Sequence, residues 1–476
     1  MPNTAQFYID GQWVAPTVAR TIDIIDPSTE RAFETLAMGS AADVDKAVAA
    51  AKRAFPEYSQ TTREQRLAWL RALLEAYNER YDDIAAAVSR EMGAPITFAR
   101  EAQAWVGRAH LETSIKALED FVFVEDRGST RIVKEAIGVA GMITPWNWPL
   151  NQIVVKVAPA LASGCTIVLK PSEIAPVSGL LFAEAIHSIG LPKGVFNLVN
   201  GDGPSVGQVI AGHSDVDVVS FTGSTRAGVI VAKTAAETVK RVSQELGGKS
   251  ANIILPDADF ANAISQGVDA VMGNTGQSCD APTRMLVPSQ RLNEALEIAK
   301  AAAEKWKVGD PRAEGTTMGP VVSKSQFDKV QTLIQKGIEE GARLVVGGPG
   351  RPAGLKVGYY VRPTIFGGVT QSMTIAREEI FGPVLSVMSY QSVDEAVEIA
   401  NDTVYGLAAY VQSTNLDSAR AVASRLRAGT VNLNYPSWDT FAPFGGYKQS
   451  GNGREYGDFG MGEYLETKAI VGYRSA

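Results

Sequence analysis

The residues best suited to do chemistry lie in Gly273-Asn274-Thr275-Gly276-Gln277-Ser278-Cys279-Asp280-Ala281-Pro282-Thr283-Arg284, which holds one of only two cysteines. Two glycines precede that cysteine and a proline follows it, among small and polar residues. Such a run predicts a loop with unusual backbone angles, not a packed helix or strand. A thiol offered on a loop can serve as a nucleophile once it loses its proton. The competing reading is plain packing, because free cysteine is among the most often buried residue types. Cys165 stands just before the apolar run Thr166-Ile167-Val168-Leu169 and fits that second reading. The three histidines, His110, His187 and His213, lie far apart without ligand spacing, so no metal is expected.

A nucleophile on a loop needs rigid elements around it. Tyr8 to Val14 carries an Asp-Gly turn between apolar residues and predicts a small hairpin. Ser40 with Asp43 opens an alanine-rich helix through about Phe55, and Thr61 with Glu64 repeats the device before Leu67, Leu70, Leu73 and Leu74. Phe121 to Val124, a Gly128 turn and Arg131 to Val133 predict a second hairpin. Short β-rich runs follow at 166–169, 195–199 and 216–222, separated by helical patterns such as Ser178 to Ile189. Alternation of this kind argues for a parallel sheet covered by helices on both faces. The turn Gly223 to Gly228 leaves a strand and opens a helix, where free N–H groups can meet a phosphate. A second run of units follows Cys279, including 342–346 and 384–387. The expected architecture is α/β, with two doubly wound parallel-sheet domains and the Cys279 loop near their junction. The end, Tyr464 to Val471, alternates like a strand in need of an edge.

Composition narrows the function. With 476 residues the chain should form two or three domains, and 45% hydrophobic with 20% charged residues is ordinary for a globular protein. A net charge of -7 disfavours nucleic acid and anionic membranes. Two cysteines cannot form a disulfide framework, and the first residues carry no basic and apolar leader. A cytoplasmic protein is the expectation.

Several segments, taken together, resemble the aldehyde dehydrogenase superfamily over essentially the whole chain, and they occur in that family's order. They are Thr144-Pro145-Trp146-Asn147-Trp148-Pro149, Lys170-Pro171-Ser172-Glu173, Phe221-Thr222-Gly223-Ser224 and Gln244-Glu245-Leu246-Gly247-Gly248-Lys249. Gly276-Gln277-Ser278-Cys279, Glu379-Ile380-Phe381-Gly382-Pro383-Val384 and Pro443-Phe444-Gly445-Gly446-Tyr447-Lys448 complete the set.

The resemblance implies roles. Cys279 matches the nucleophile, which attacks the aldehyde carbon to give a thiohemiacetal and then, after hydride loss, a thioester. Asn147 matches the amide that stabilises the new oxyanion. Glu245 matches the base that activates water, and its presence favours hydrolysis over transfer of the acyl group to coenzyme A or phosphate. A catalytically retired structural homologue would lack one of these three. Taken alone, Glu245 reads as a solvated strand end. Lys170 and Glu173 match the pair at the adenosine ribose. A carboxylate there favours NAD, although the lysine tolerates NADP. Gly223 and Ser224 match the pyrophosphate turn, Glu379 and Phe381 the nicotinamide end, and Thr144 and Trp146 adjoin the cofactor. For the aldehyde tunnel, Trp148, Trp438 and Phe444 supply aromatic wall. Asn151, Gln152, Ser278 and Asp280 make it more polar than usual in the family. The tail from Asp280 to Arg284 is similar to bacterial members acting on ω-oxo acids, with Arg284 expected as a structural ion-pair partner. The implied division is 1–117 with 137–247 for NAD, 248–449 for catalysis, and 118–136 with 450–476 for oligomerisation. A homodimer or homotetramer, with the tail strand exchanged between subunits, completes the expectation.

Overall fold

Local rules set the first helices. Ser40 and Asp43 close a capping box, with the Ser40 N–H donating to Asp43 Oδ2 at 2.9 Å, and the helix Ala41–Tyr58 follows. The second box lies one residue later than the sequence suggests. Thr61 spends its hydroxyl on the Tyr58 carbonyl at 2.6 Å, so Thr62 and Gln65 cap Arg63–Glu79 instead. Leu67, Leu70 and Leu73 are buried along one face of that helix. The computed structural model describes residues 3–474.

Two large sheets carry the molecule. In the first the order is Gly451–Asn452, Arg241–Glu245, Val218–Thr222, Val139–Ile143, Thr166–Lys170, Phe196–Leu198, Phe7–Ile9, Gln12–Val14. Its five central strands are parallel, and both ends finish antiparallel. The Phe7–Val14 hairpin turns through Asp10 and Gly11, both at positive φ, as an Asp-Gly turn requires. The second sheet runs Arg343–Val346, Thr364–Gly367, Val384–Tyr390, Arg284–Pro288, Ala251–Ile254, Ala408–Gln412, Thr430–Leu433. Only its first pair is antiparallel.

Side chains alternate across both sheets into separate cores. Ala140 and Met142 join one cluster while Val139 and Ile143 join another; Met285 and Leu286 divide in the same way. That is the signature of a sheet covered on both faces. The connection between the sheets decides where chemistry can occur. Arg241–Glu245 ends in the first sheet, and the chain crosses in a few residues to Ala251–Ile254 in the second. The carboxyl ends of the first sheet's strands therefore face the amino ends of the second sheet's strands. Ligands of parallel sheets collect at such carboxyl ends.

Three features differ from the sequence reading. The hairpin strands are Val124–Arg127 and Thr130–Ala136, because Phe121 finishes the preceding helix and is buried. A two-stranded sheet of Thr21–Asp26 and Arg31–Ala37 was not expected. The tail strand Leu465–Ile470 pairs with Thr130–Ala136 of its own chain, from Leu465 opposite Ala136 to Ile470 opposite Arg131. No exchange is needed, since the hairpin offers an edge within the chain and Arg241 holds the carbonyls of Glu463 and Leu465 at 3.0 Å. The segment 450–476 thus serves two sheets, Gly451–Asn452 closing the first and Leu465–Ile470 the small one. Among the described residues no helix is long and apolar enough to cross a membrane.

Candidate active site

The Cys279 loop leaves the helix Phe260–Met272 and needs three successive left-handed residues, Asn274, Thr275 and Gly276, at φ 51°, 56° and 72°. A threonine in that region is strained and persists only where its surroundings hold it. Asn274 Nδ2 donates to the carbonyls of Asn147 and Gln277 at 3.0 and 3.1 Å, and Gln103 Nε2 reaches Asn147 O and Asn274 Oδ1 at 3.0 Å each. Val322 N–H donates to Gln277 Oε1 at 2.9 Å. At Gly276 a Cβ would collide with the Gly382 backbone, and at Gly248 with the carbonyl of Cys279. Both glycines are there for close approach.

This loop puts Cys279, half-buried, on the wall of two cavities. Cys279 is the one lining residue they share among the described residues. The larger cavity, about 680 Å³, gathers Trp148, Asn151, Gln152, Asp280, Trp438 and Phe444 of the predicted aldehyde residues. Ser278 lies beside it and accepts from Trp148 Nε1 at 2.8 Å, which fixes the indole. Trp148 and Trp438 meet edge to face with centroids 5.6 Å apart. The smaller cavity, about 200 Å³, is lined by Trp146, Asn147, Gly223, Ser224, Glu379 and Phe381. Thr144, Lys170 and Glu173 lie outside that lining. Lys170 is buried and paired with Glu173 at 2.7 Å, and the Thr144 N–H donates to the Lys170 carbonyl at 3.1 Å.

Asn147 sits at the junction. Its Nδ2 donates to the Gln277 carbonyl at 3.0 Å, which aims the amide at the Cys279 loop across 130 residues of sequence. Glu245 ends its strand, but it is not solvated: it is 2% exposed and neither carboxylate oxygen has a partner among the described residues. Burial, then the charge of Glu455, push its carboxyl well above the ordinary glutamate range. Burial raises the Cys279 thiol too, followed by the charges of Asp280, Glu379 and Glu245. The resting thiol is therefore protonated at neutral pH, and its proton must leave before the sulfur can attack.

Sequence reasoning missed part of this neighbourhood. Lys156 and Glu455 form a fully buried ion pair near Glu245, and Lys156 Nζ also donates to Thr222 Oγ1 at 2.8 Å. Lys156 hides inside the apolar helix Pro149–Ser163, which gives no local signal for a buried charge. Gln103 and Asn274 were also not singled out. Gln103 carries no motif, and Asn274 was legible only as part of a glycine-bounded loop. The role expected of Arg284 needs correction. Among the described residues it makes no ion pair but donates to the carbonyls of Lys249, Ile399 and Ala400 at 2.8–2.9 Å, because those carbonyls line its buried strand end.

The smaller cavity can be tested against a nicotinamide cofactor. The turn Gly223-Ser224 opens the helix Thr225–Ala235, with Ser224 Oγ accepting from Ala227 N at 3.3 Å, so the free N–H groups of a helix N-terminus face outward there. Trp146 stands edge-on to Phe381 at 5.4 Å, and Glu379 Oε1 is anchored by the Gly248 N–H at 2.9 Å. An anion site, an aromatic wall and a fixed carboxylate suit the phosphates, ring and ribose of a dinucleotide.

Comparison with known proteins gives the family. A model of the aldehyde dehydrogenase family matches residues 13–470. A 3-succinoylsemialdehyde-pyridine dehydrogenase from a Pseudomonas species is 54% identical over 477 residues, covering all of both chains. The structure is similar to that of a cysteine-to-alanine mutant of aldehyde dehydrogenase C from Pseudomonas syringae with NAD+ and octanal. The TM-score there is 0.99 and the identity 56%, covering 100% of this chain and 98% of that one. An aldehyde dehydrogenase from Mycobacterium tuberculosis complexed with NAD+ gives a TM-score of 0.96 at 39% identity, with 98% of each chain covered. The chain belongs to the aldehyde dehydrogenase family.

Proposed function

We propose that this protein oxidises an aldehyde to its carboxylic acid with NAD, through a thioester on Cys279 that water hydrolyses. The observation that carries the reading is the position of Cys279 on the wall between a cavity for an aldehyde and a cavity suited to a nicotinamide. The Cys279 thiolate attacks the aldehyde carbon, and the carbonyl electrons move to oxygen. Asn147 Nδ2, already aimed at this loop, donates to that oxygen where charge develops, an interaction worth about 3–4 kcal/mol per donor in other enzymes. NAD, when bound, would accept the hydride that leaves the same carbon, and Trp146, Phe381, Glu379 and the Gly223-Ser224 turn would hold it. Glu245 then takes a proton from water as the water oxygen attacks the thioester. The C–S bond breaks, and the acid departs. Residues 1–117 with 137–247 hold the cofactor in this reading, and 248–449 supply the nucleophile. The presence of Glu245 favours water over coenzyme A or phosphate as the acyl acceptor.

NADH absorbance with a panel of aldehydes, NAD or NADP, and no added thiol or phosphate tests this. The Lys170–Glu173 pair makes the cofactor arm quantitative. A 2′-phosphate beside the half-buried Glu173 carboxylate is repelled, so NAD should win in kcat/KM by roughly tenfold or more, and Glu173→Ala should narrow the gap to a few-fold. A wild type that prefers NADP contradicts this placement. Strict dependence on coenzyme A or phosphate contradicts the hydrolytic reading. No aldehyde oxidised at all supports a retired homologue.

The assembly proposed is a homodimer or homotetramer. The strand Thr430–Leu433 ends the second sheet half-exposed, and Val124–Arg127 ends the small sheet fully exposed. Open edges of this kind are met in symmetric oligomers by pairing with a second copy. Light scattering should return a dimer or tetramer mass at working concentration, and removal of residues 464–476 should lower it by unpairing the small sheet. A monomer mass for active protein contradicts the assembly. A cytoplasmic setting agrees with the two unbridged thiols, Cys165 and Cys279.

A further inference from the structure

The charge inside the aldehyde cavity is one-sided. Its lining holds two carboxylates, Asp280 beside the nucleophile and Asp439 at the exposed rim, and no lysine, arginine or histidine. His110 packs behind the wall on Tyr456, with centroids 4.3 Å apart, and burial drives its pKa to about 3, so it brings no positive charge. Neither aspartate has an ion-pair partner among the described residues. Among the described residues the one side-chain hydrogen-bond partner of the Asp280 carboxylate is Tyr410 Oη, at 3.5 Å. Asp439 Oδ1 only accepts from the Phe441 N–H at 2.9 Å.

The uncharged polar groups add no positive charge. Asn151 and Gln152, on the first turn of the helix Pro149–Ser163, are 4% and 3% exposed and bring amides, not cations, to the wall. Tyr410 and Tyr435, tilted by 30° with centroids 5.5 Å apart, line the same cavity as Asp280, and aromatic faces attract cations. Carboxylates without cations and aromatic faces both complement one kind of group. A substrate carboxylate, by contrast, would meet like charge and no donor cation.

We propose that this cavity selects aldehydes carrying a protonated amino group and rejects ω-oxo acids, with Asp280 as the discriminating residue. The inference rests on the assignment of the Cys279 cavity as the aldehyde site and names the substrate class of that site. It also replaces the similarity to members acting on ω-oxo acids, since Arg284, the basic residue of that stretch, is buried against backbone carbonyls.

Three substrates of equal chain length decide it: an ω-amino aldehyde, the n-alkyl aldehyde and the ω-oxo acid, each assayed with NAD on wild type and Asp280→Asn. Wild type should favour the amino aldehyde over the alkyl aldehyde in kcat/KM by roughly 10- to 100-fold, the size of one charge-assisted hydrogen bond. The oxo acid should be poorest. Asp280→Asn should collapse the first ratio towards one and improve the oxo acid relative to the alkyl aldehyde. Ratios within one enzyme cancel any change in thiol reactivity that loss of the neighbouring charge brings. Should Asp280→Asn misfold, Asp439→Asn at the rim should lower the same ratio by a smaller factor. A wild type that treats all three alike, or prefers the alkyl aldehyde or oxo acid, overturns the proposal, as does a preference that survives both substitutions. Oxidation of the alkyl aldehyde by wild type keeps the dehydrogenase reading intact in those cases. Failure on all three substrates removes that reading and the inference with it.

Discussion

Cys279→Ser should lose aldehyde oxidation by about 10⁴-fold or more, as removal of a covalent nucleophile does elsewhere, while NAD binding persists. The reason is geometric before it is chemical. Among the described residues no other lining residue touches both cavities, so no neighbour can attack the aldehyde and still present its hydride to the cofactor. A serine hydroxyl would stand in the same place, but it ionises far less readily than a thiol that already needs help. The control is Cys165→Ala. Cys165 is fully buried beneath the first sheet, its Sγ donates to the Tyr464 carbonyl at 3.3 Å, and burial pushes its pKa to about 11. Its loss should cost about 1 kcal/mol of stability at most and leave the rate unchanged. NADH absorbance for activity and fluorescence quenching for NAD binding check both variants. Full activity in Cys279→Ser contradicts the covalent mechanism.

Glu245→Gln should separate the two halves of the reaction. Glutamine keeps the shape of this buried side chain and removes its capacity to accept a proton from water. Loss of the base should slow steady turnover by about 10²–10⁴-fold. The first turnover should survive, because the Glu245 charge raises the thiol pKa and its removal does not hinder thiolate formation. Stopped-flow should then record a burst of NADH close to one per active site, followed by a slow phase. Burst and steady state falling together would give Glu245 an earlier role, in activating Cys279.

How much of this was legible in the sequence depended on how local the cause is. Capping boxes, the Asp10-Gly11 turn and the alternating strands were readable because their physics spans a few residues. The errors of one to three residues arose where neighbours compete, as when Thr61 closes one helix and leaves Thr62 to open the next. The loop at Cys279 was readable as strained from its glycines. What holds it was not, because Asn147, Gln103 and Asn274 meet only after folding. Resemblance supplied Glu245 and Asn147, whereas isolated reading would have left Glu245 in solvent. Lys156 and Glu455 escaped both, since a lysine in an apolar helix and a glutamate in a loop declare nothing until they are buried together. The tail strand was predicted correctly as a strand but given the wrong partner. Alternation specifies a strand that needs an edge, and it does not say whose edge.

The central claim, an acyl group carried on Cys279 and released by water through Glu245, can be observed directly. Glu245→Gln mixed with an aldehyde and NAD, then quenched in acid within the burst phase, should yield a digest in which the peptide containing Cys279 has gained the mass of the acyl group. The gain should approach one per active site, match the NADH formed and disappear when NAD is omitted. A burst of NADH with no acylated Cys279, or with the acyl group on Cys165 or elsewhere, would contradict the account.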